Sequence, residues 1–394
     1  MAQSIGTILP EAAARYGDKI AVVTETRSLS FNELEALSNR VANGLVAMGI
    51  QPGERVTLYG PNCWEWLAAY YGAAKMGAVL NPINVMLTPD EVRYIVNDAG
   101  SRAVIAAPDK GGPLMDLKGG TLKDVILWGD DLPDGATSFN AFLDSGSDQF
   151  SPVDVVGTEL GKICYTSGTT GHPKGAMQSH RSLIMNCALF GMMGARTEHD
   201  VIVSPLPCPH VYASVVFNAS MIAGSTLIMM ARFDAEGMLV NMEKHKATII
   251  DVVPTGYYYM LALPNFDEFD FSTLRIATVG GQTLPAAKSL EFKERTGVSV
   301  YELWGMTEIS GAGTLNPVYG INKPGTIGIS FPGSEVRIAD LDDPDRTAPT
   351  GERGEMMFRG PLVMMGYYNN PEATADTIRP DGWMHTGDIA TMDE

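Results

Sequence analysis

Eleven residues, YTSGTTGHPKG from Tyr165 to Gly175, hold three glycines, three threonines, a serine and one lysine. Glycines let a backbone turn tightly enough for several N–H groups to converge on one anion. Hydroxyls add donors without bulk, and Lys174 adds a point charge suited to phosphate. Little side chain is needed because the backbone itself is the ligand. The pattern is not GxxxxGK[ST]: Pro173 precedes Lys174 and Gly175 follows it, so a Walker-type kinase or ATPase loop is excluded. Further along, YELWGMTE (301–308) ends in Thr307 and Glu308, a hydroxyl beside a carboxylate, which on its own is a weak signal. Asp388 lies in HTGD, near the end of the sequence. His210 lies in the otherwise apolar PLPCPHVYA, and TVGGQTLP (278–285) puts two glycines at a strand end.

These residues need a frame. KICYTS before the loop reads as a strand, and a helix begins near Ser179. SFNELEALSNRVANGLVAMG opens with Ser30 and has Glu33 three residues on, a capping box. Leu34, Leu37, Val41 and Leu45 then form one apolar face before Gly49 ends the helix. RVTLYG is a strand, NCWEWLAAYYGAAKMGA a helix, TPDEVRYIVNDAG a second capped helix from Thr88, and RAVIAA a strand. DVIVSPLP, STLIMMA, ATIIDVVP, LRIATVGG and VSVYELWG continue the alternation. A βαβ rhythm of this kind predicts mainly parallel sheets covered by helices. After about residue 320 come short strands punctuated by Gly, Pro and Asp, which predict a smaller β-rich unit. The expected fold is α/β: two helix-covered sheet subdomains, about 1–160 and 161–320, and a β-barrel-like subdomain over 321–394.

At 394 residues the chain exceeds the ~250–300 of a single core. Its formal charge of −18 makes nucleic acid and anionic lipid poor partners, so an anionic ligand needs a locally compensated pocket. The four cysteines (Cys63, Cys164, Cys187, Cys208) lack paired spacing, which fits reduced thiols in the cytoplasm and neither a disulfide frame nor a zinc site. No apolar run reaches the ~18–20 residues of a membrane span, and no signal peptide is visible.

Taken together and in order, the loop, the His210 segment, the Gly-rich strand end, YELWGMTE, and GERGEMMFRGPLVMMGYY with WMHTGDIA resemble the motifs of the adenylate-forming superfamily of acyl-CoA synthetases, adenylation domains and luciferases. The resemblance runs from about residue 5 to the end. It implies an acyl-CoA synthetase-like N-terminal domain that makes acyl-AMP from ATP and a carboxylic acid, with Mg²⁺ as cofactor and coenzyme A as co-substrate. On it, Lys174, Thr307, Glu308 and His210 are the catalytic candidates. Thr166, Ser167, Gly168, Thr169, Thr170, Gly171 and Lys174 surround the phosphates. Gly281, Gln282, Glu302, Leu303, Trp304, Gly305, Met306 and Thr307 border adenine and the α-phosphate, Asp388 the ribose, and Glu308 the metal. Trp304 stands where the family usually has tyrosine or phenylalanine. His210, Val211, Ser214, Gly280, Gly281, Gln282 and Met306 line the acid pocket.

Amino-acid-activating relatives carry an aspartate just after the residues matching PH; HVYAS has none, and burying an unpaired ammonium is costly. The expected substrate is therefore a fatty or aromatic acid, though one polar residue placed by the fold could change that answer. Family members continue for roughly another hundred residues with a mobile domain that carries a lysine and builds the thiol site. The expectation is thus a truncated chain or proteolytic core, impaired in turnover. An acyl-AMP ligase loading a carrier protein and a non-catalytic adenylate-binding module stay open as alternatives. A homodimer is a further family expectation.

Overall fold

The computed structural model describes residues 4–166 and 171–394. Two large mixed sheets carry the chain. One has nine strands in the order Ile329–Ser330, Gly311–Leu315, Val300–Met306, Ile276–Val279, Ile249–Val252, Val201–Ser204, Thr226–Met229, Ile20–Val23, Ser28–Ser30. The other has eight: Gly366–Tyr367, Lys174–Ser179, Leu160–Thr166, Val79–Ile83, Arg55–Tyr59, Ser101–Ala106, Asp124–Leu127, Thr137–Ser138. Glu335–Ala339, Gly354–Arg359 and Met384–Ala390 make an open, three-stranded antiparallel sheet, too few strands to close on themselves. Sheet membership crosses the expected limits at 160 and 320. Residues 20–30 join the nine-stranded sheet, while 160–179 and 366–367 join the eight-stranded one. Hydrogen bonding across sheet edges is not visible in linear texture.

The strands are buried on both faces, and the alternation is legible pair by pair. Ile202, Ile249 and Ile276 face one core, while their neighbours Val203, Ile250 and Ala277 face another. The first core lies between the sheets and also takes Val56, Leu58 and Leu80 from the eight-stranded one. Helices trapped there must be apolar all round. Trp64–Lys75 is buried from Trp66 onward, and Val211–Ala223 from Val211 to Met221. Their rings interlock: Trp66 and Phe217 meet at 5.8 Å, Tyr70 and Phe217 edge-on at 5.0 Å. Outer helices, among them Ala235–Lys244, Pro254–Leu261 and Ala286–Thr296 on one side and Pro89–Asp98 on the other, close the remaining faces. Both expected capping boxes form, Ser30 with Glu33 and Thr88 with Glu91, and Ser179 caps the helix His180–Met193. Cys63, Cys164, Cys187 and Cys208 are all free thiols.

Candidate active site

The strand Leu160–Thr166 turns back as Lys174–Ser179, pairing Tyr165 with Gly175 and Thr166 with Lys174. The expected phosphate loop is the connection between them. Ser167, Gly168, Thr169 and Thr170 lie outside the described residues; Thr166, Gly171 and Lys174 flank them. Both limbs are tied to the helix Pro89–Asp98: Tyr165 donates to Asp98 Oδ2 at 2.6 Å, and His172 stacks on Tyr94 with ring centroids 4.4 Å apart. Gly171 has φ 142° with open space around it, a conformation that favours glycine.

Val300–Met306 reverses into Gly311–Leu315 through the short 3₁₀ turn Thr307–Ile309, with Ser310 in the left-handed region at φ 66°. Gly305 is required by this reversal. A Cβ there would sit 2.0 Å from the Gly311 carbonyl oxygen, so any side chain would push the strands apart. The turn is clamped to the loop hairpin. Gln178 Nε2 donates to the Thr307 carbonyl at 2.7 Å, and Met364 N–H donates to the Glu308 carbonyl at 2.7 Å. The buried Glu308 carboxylate accepts a hydrogen bond from the Tyr367 hydroxyl at 2.7 Å through Oε1. Tyr367 itself pairs with Ala176 of the hairpin, and the Lys174 ammonium sits 5.4 Å from the centroid of its ring. One phenol therefore carries the loop lysine on its face and the turn carboxylate on its hydroxyl. Tyr367→Phe is expected to lower stability by about 1–3 kcal/mol, the cost of leaving a buried acceptor short of a donor, read as a fall in the urea midpoint.

Trp304 Nε1 donates to Asp388 Oδ2 at 2.7 Å, so the ring expected against adenine and the carboxylate expected on ribose are already adjacent. The Trp304 ring packs beside Gly313, where a Cβ would come within 2.8 Å of it, and 5.9 Å from Phe358. Glu302, expected near the adenine amine, is only 4% exposed, and its Oε1 accepts from Leu284 N–H at 3.2 Å. One of its oxygens thus holds the Gly281–Pro285 loop. Burial pushes this carboxyl up to about 7. Because the folded value exceeds the unfolded ~4.3, its stabilising contribution is full below ~4.3 and is lost as pH rises to about 7. Glu302→Gln is expected to flatten that part of the stability profile, measured as urea midpoints across this range. Leu303 is buried and packs beneath Gly280, where a Cβ would meet it at 2.6 Å. Its side chain belongs to the core between the sheets.

His210 caps the helix Val211–Ala223: its Nδ1 accepts from Tyr212 N–H at 3.2 Å. In the neutral ring Nε2 then carries the proton. Desolvation, and secondarily the nearby charge of Lys162, hold its pKa below the usual histidine value, although its surface is exposed. Together these describe a neutral ring exposed at the start of the helix. Gly281 (φ 89°) and Gln282 are also exposed, and Met306 is half-buried. Gly280 meets the first turn of the helix, with Tyr212 3.3 Å from where its Cβ would lie. Val211 and Ser214 are buried on the underside, where Ser214 Oγ accepts from Lys162 Nζ at 3.0 Å.

The structure thus joins Lys174 to Glu308 and Trp304 to Asp388, and sets Gly280 against the helix that His210 caps. Sequence reasoning missed Tyr367, Gln178 and Lys162. Tyr367 and Gln178 act across more than fifty residues of chain and gave no local signal. Lys162 did give one: a lysine inside an apolar strand directly before the loop.

Comparison with known proteins decides the family. Residues 9–368 match the AMP-binding enzyme family. The chain belongs to the AMP-binding enzymes. This AMP-binding enzyme is 29% identical to the long-chain-fatty-acid–CoA ligase of Bacillus subtilis, which aligns with 100% of the chain and of which it spans 75%. It is 34% identical to the feruloyl-CoA synthase of an Amycolatopsis species over 93% of the chain and 72% of that protein. Among solved structures, the anthranilate CoA ligase AuaEII bound to anthranoyl-AMP superposes with a TM-score of 0.93 at 27% identity, over 99% of this chain and 76% of that one. The N-terminal domain of FACL13 from Mycobacterium tuberculosis superposes at 0.89 with 31% identity, over 99% and 97%. Among the described residues no helix is long and apolar enough to cross a membrane.

Proposed function

We propose that this AMP-binding enzyme activates a carboxylic acid, fatty or aromatic, by joining it to ATP as acyl-AMP with release of pyrophosphate, and that the acyl group then passes to coenzyme A in the cytoplasm. The observation that carries this reading is the single phenol of Tyr367 that holds Lys174 and Glu308 at one place. A lysine from a glycine-rich loop and a buried carboxylate suit the two halves of a metal–triphosphate, and the Trp304–Asp388 pair suits base and ribose.

A carboxylate oxygen attacks the α-phosphorus and the bond to the β-phosphate bridging oxygen breaks, so negative charge gathers on the α-phosphate and on the departing pyrophosphate. Ser167, Thr169, Thr170 and Lys174 are assigned to the β- and γ-phosphates, and Thr307 to the α-phosphate, where they stabilise that charge. Glu308 fits Mg²⁺ as a buried hard-oxygen ligand with only Oε1 engaged among the described residues. The ion, when bound, supplies positive charge against the phosphate oxygens. His210, neutral with an N–H available, lines the acid side without bringing a competing charge. Relatives named for long-chain fatty acids, ferulate and anthranilate support an acid with either an alkyl or an aryl body. Four free cysteines support a reducing compartment.

The test is the nucleotide product in the presence of a carboxylic acid panel. AMP and pyrophosphate that appear only when an acid is present are expected; acid-independent ADP would overturn the reading.

A further inference from the structure

Two lysines of this chain are essentially fully buried, and they are provided for very differently. Lys75 meets Glu35 Oε2 at 2.5 Å, Ser38 Oγ at 2.6 Å and Asn39 Oδ1 at 2.7 Å, so all three of its donors and its charge are matched. Lys162, 1% exposed, makes one hydrogen bond among the described residues, to the neutral Ser214 Oγ at 3.0 Å, and no ion pair. An ammonium buried with two donors and its charge unanswered among the described residues is costly, and such groups persist where something else completes them.

The position says what completes it. Lys162 lies opposite Gln178 in the hairpin register, so the two side chains share a face. Gln178 reaches the Thr307 carbonyl on that face, at the turn assigned to the α-phosphate. On the other side, Ser214 is one helical turn from His210, with its backbone N–H on the His210 carbonyl at 2.9 Å. Lys162 is therefore set between the helix that His210 caps and the turn assigned to the α-phosphate.

We propose that Lys162, steadied by Ser214, receives an oxygen acceptor on the body of the substrate, so that the acid this enzyme activates carries a second polar oxygen group away from its reacting carboxylate. The inference rests on the adenylating function proposed above and narrows it. A purely alkyl tail would leave the ammonium unmatched; a second carboxylate answers both donors and charge, and a hydroxyl answers a donor only.

The test needs binding and not turnover. Non-hydrolysable acyl-sulfamoyl adenosines are compared by calorimetry in matched pairs: linear monoacyl against ω-carboxyacyl over a series of chain lengths, and benzoyl against hydroxybenzoyl. The wild-type chain is expected to prefer the oxygen-bearing member of at least one pair by about tenfold, the worth of one hydrogen bond to a charged group. Lys162→Met, nearly equal in volume, is expected to abolish or reverse that preference while leaving AMP affinity unchanged, which also reports that the variant is folded. If the dicarboxylic pair shows the effect the second group is anionic; if only the aryl pair shows it, the group is a hydroxyl. Equal preference in wild type and Lys162→Met, or wild-type preference for the apolar member throughout, overturns the inference and leaves the proposed function standing. Failure of wild type to bind any analogue or AMP would sink the adenylating function itself, and this inference with it. Lys162→Arg, which keeps the charge, is expected to retain the preference; were it to behave as Lys162→Met, charge recognition would be contradicted.

Discussion

Glu308→Gln is expected to lower acid-dependent AMP formation by about 10²–10³-fold, the usual effect of removing one element that stabilises transition-state charge. The substitution is chosen for what it keeps. The amide oxygen can still accept from the Tyr367 hydroxyl, now at 2.7 Å from Oε1, and the Glu308 carbonyl still accepts from Met364 N–H. What is lost is the negative charge and one hard oxygen of the metal ligand. The fold should therefore survive, with an unchanged urea midpoint, while the rate collapses and raised Mg²⁺ restores it only in part. A wild-type rate in Glu308→Gln would remove this residue from the chemistry.

The second large effect is on stability. Arg196 and Asp251 form an ion pair with no exposed side-chain surface, Nη2 to Oδ1 at 2.5 Å. Thr278 Oγ1 donates to the same oxygen at 2.6 Å, and the Tyr212 and Thr278 hydroxyls meet at 2.7 Å. The pair thus supports the first turn of the helix that His210 caps. Asp251→Ala leaves the guanidinium buried with no anion and is expected to cost about 3–5 kcal/mol in urea unfolding. Charge burial, not packing, is the cause, so the double variant Arg196→Met/Asp251→Leu should recover most of the loss. A small loss in the single variant, or no recovery in the double, would show that the pair matters for some other reason.

Much of this was legible in the sequence where the cause is local. The capping boxes at Ser30 and Thr88 and the turn glycine Gly49 are dictated by residues within a few positions of one another, and they form as read. Strand runs such as ATIIDVVP and LRIATVGG are apolar on both faces because each sheet has a core on either side. Candidate site residues could be proposed from their order along the chain, but not their contacts. Nothing near Trp304 foretells that its indole meets Asp388, eighty-four residues on, and nothing near Lys174 foretells Tyr367. The division at 160 and 320 followed changes of texture, whereas Gly366–Tyr367 joins the eight-stranded sheet by edge pairing with Lys174–Ser179, which texture does not carry. HVYAS is apolar along its own buried helix, yet the charge beside it comes from another strand, through Lys162 and Ser214.

The central claim is that this chain makes acyl-AMP, and the most direct measurement is mass spectrometry of the protein after incubation with ATP, Mg²⁺ and a panel of carboxylic acids, with oxygen-bearing and purely apolar members side by side. The account predicts an acyl-adenylate retained by the chain for at least one acid, missing without that acid and missing in Glu308→Gln. ATP bound and recovered unchanged with every acid, or converted to ADP, would contradict it.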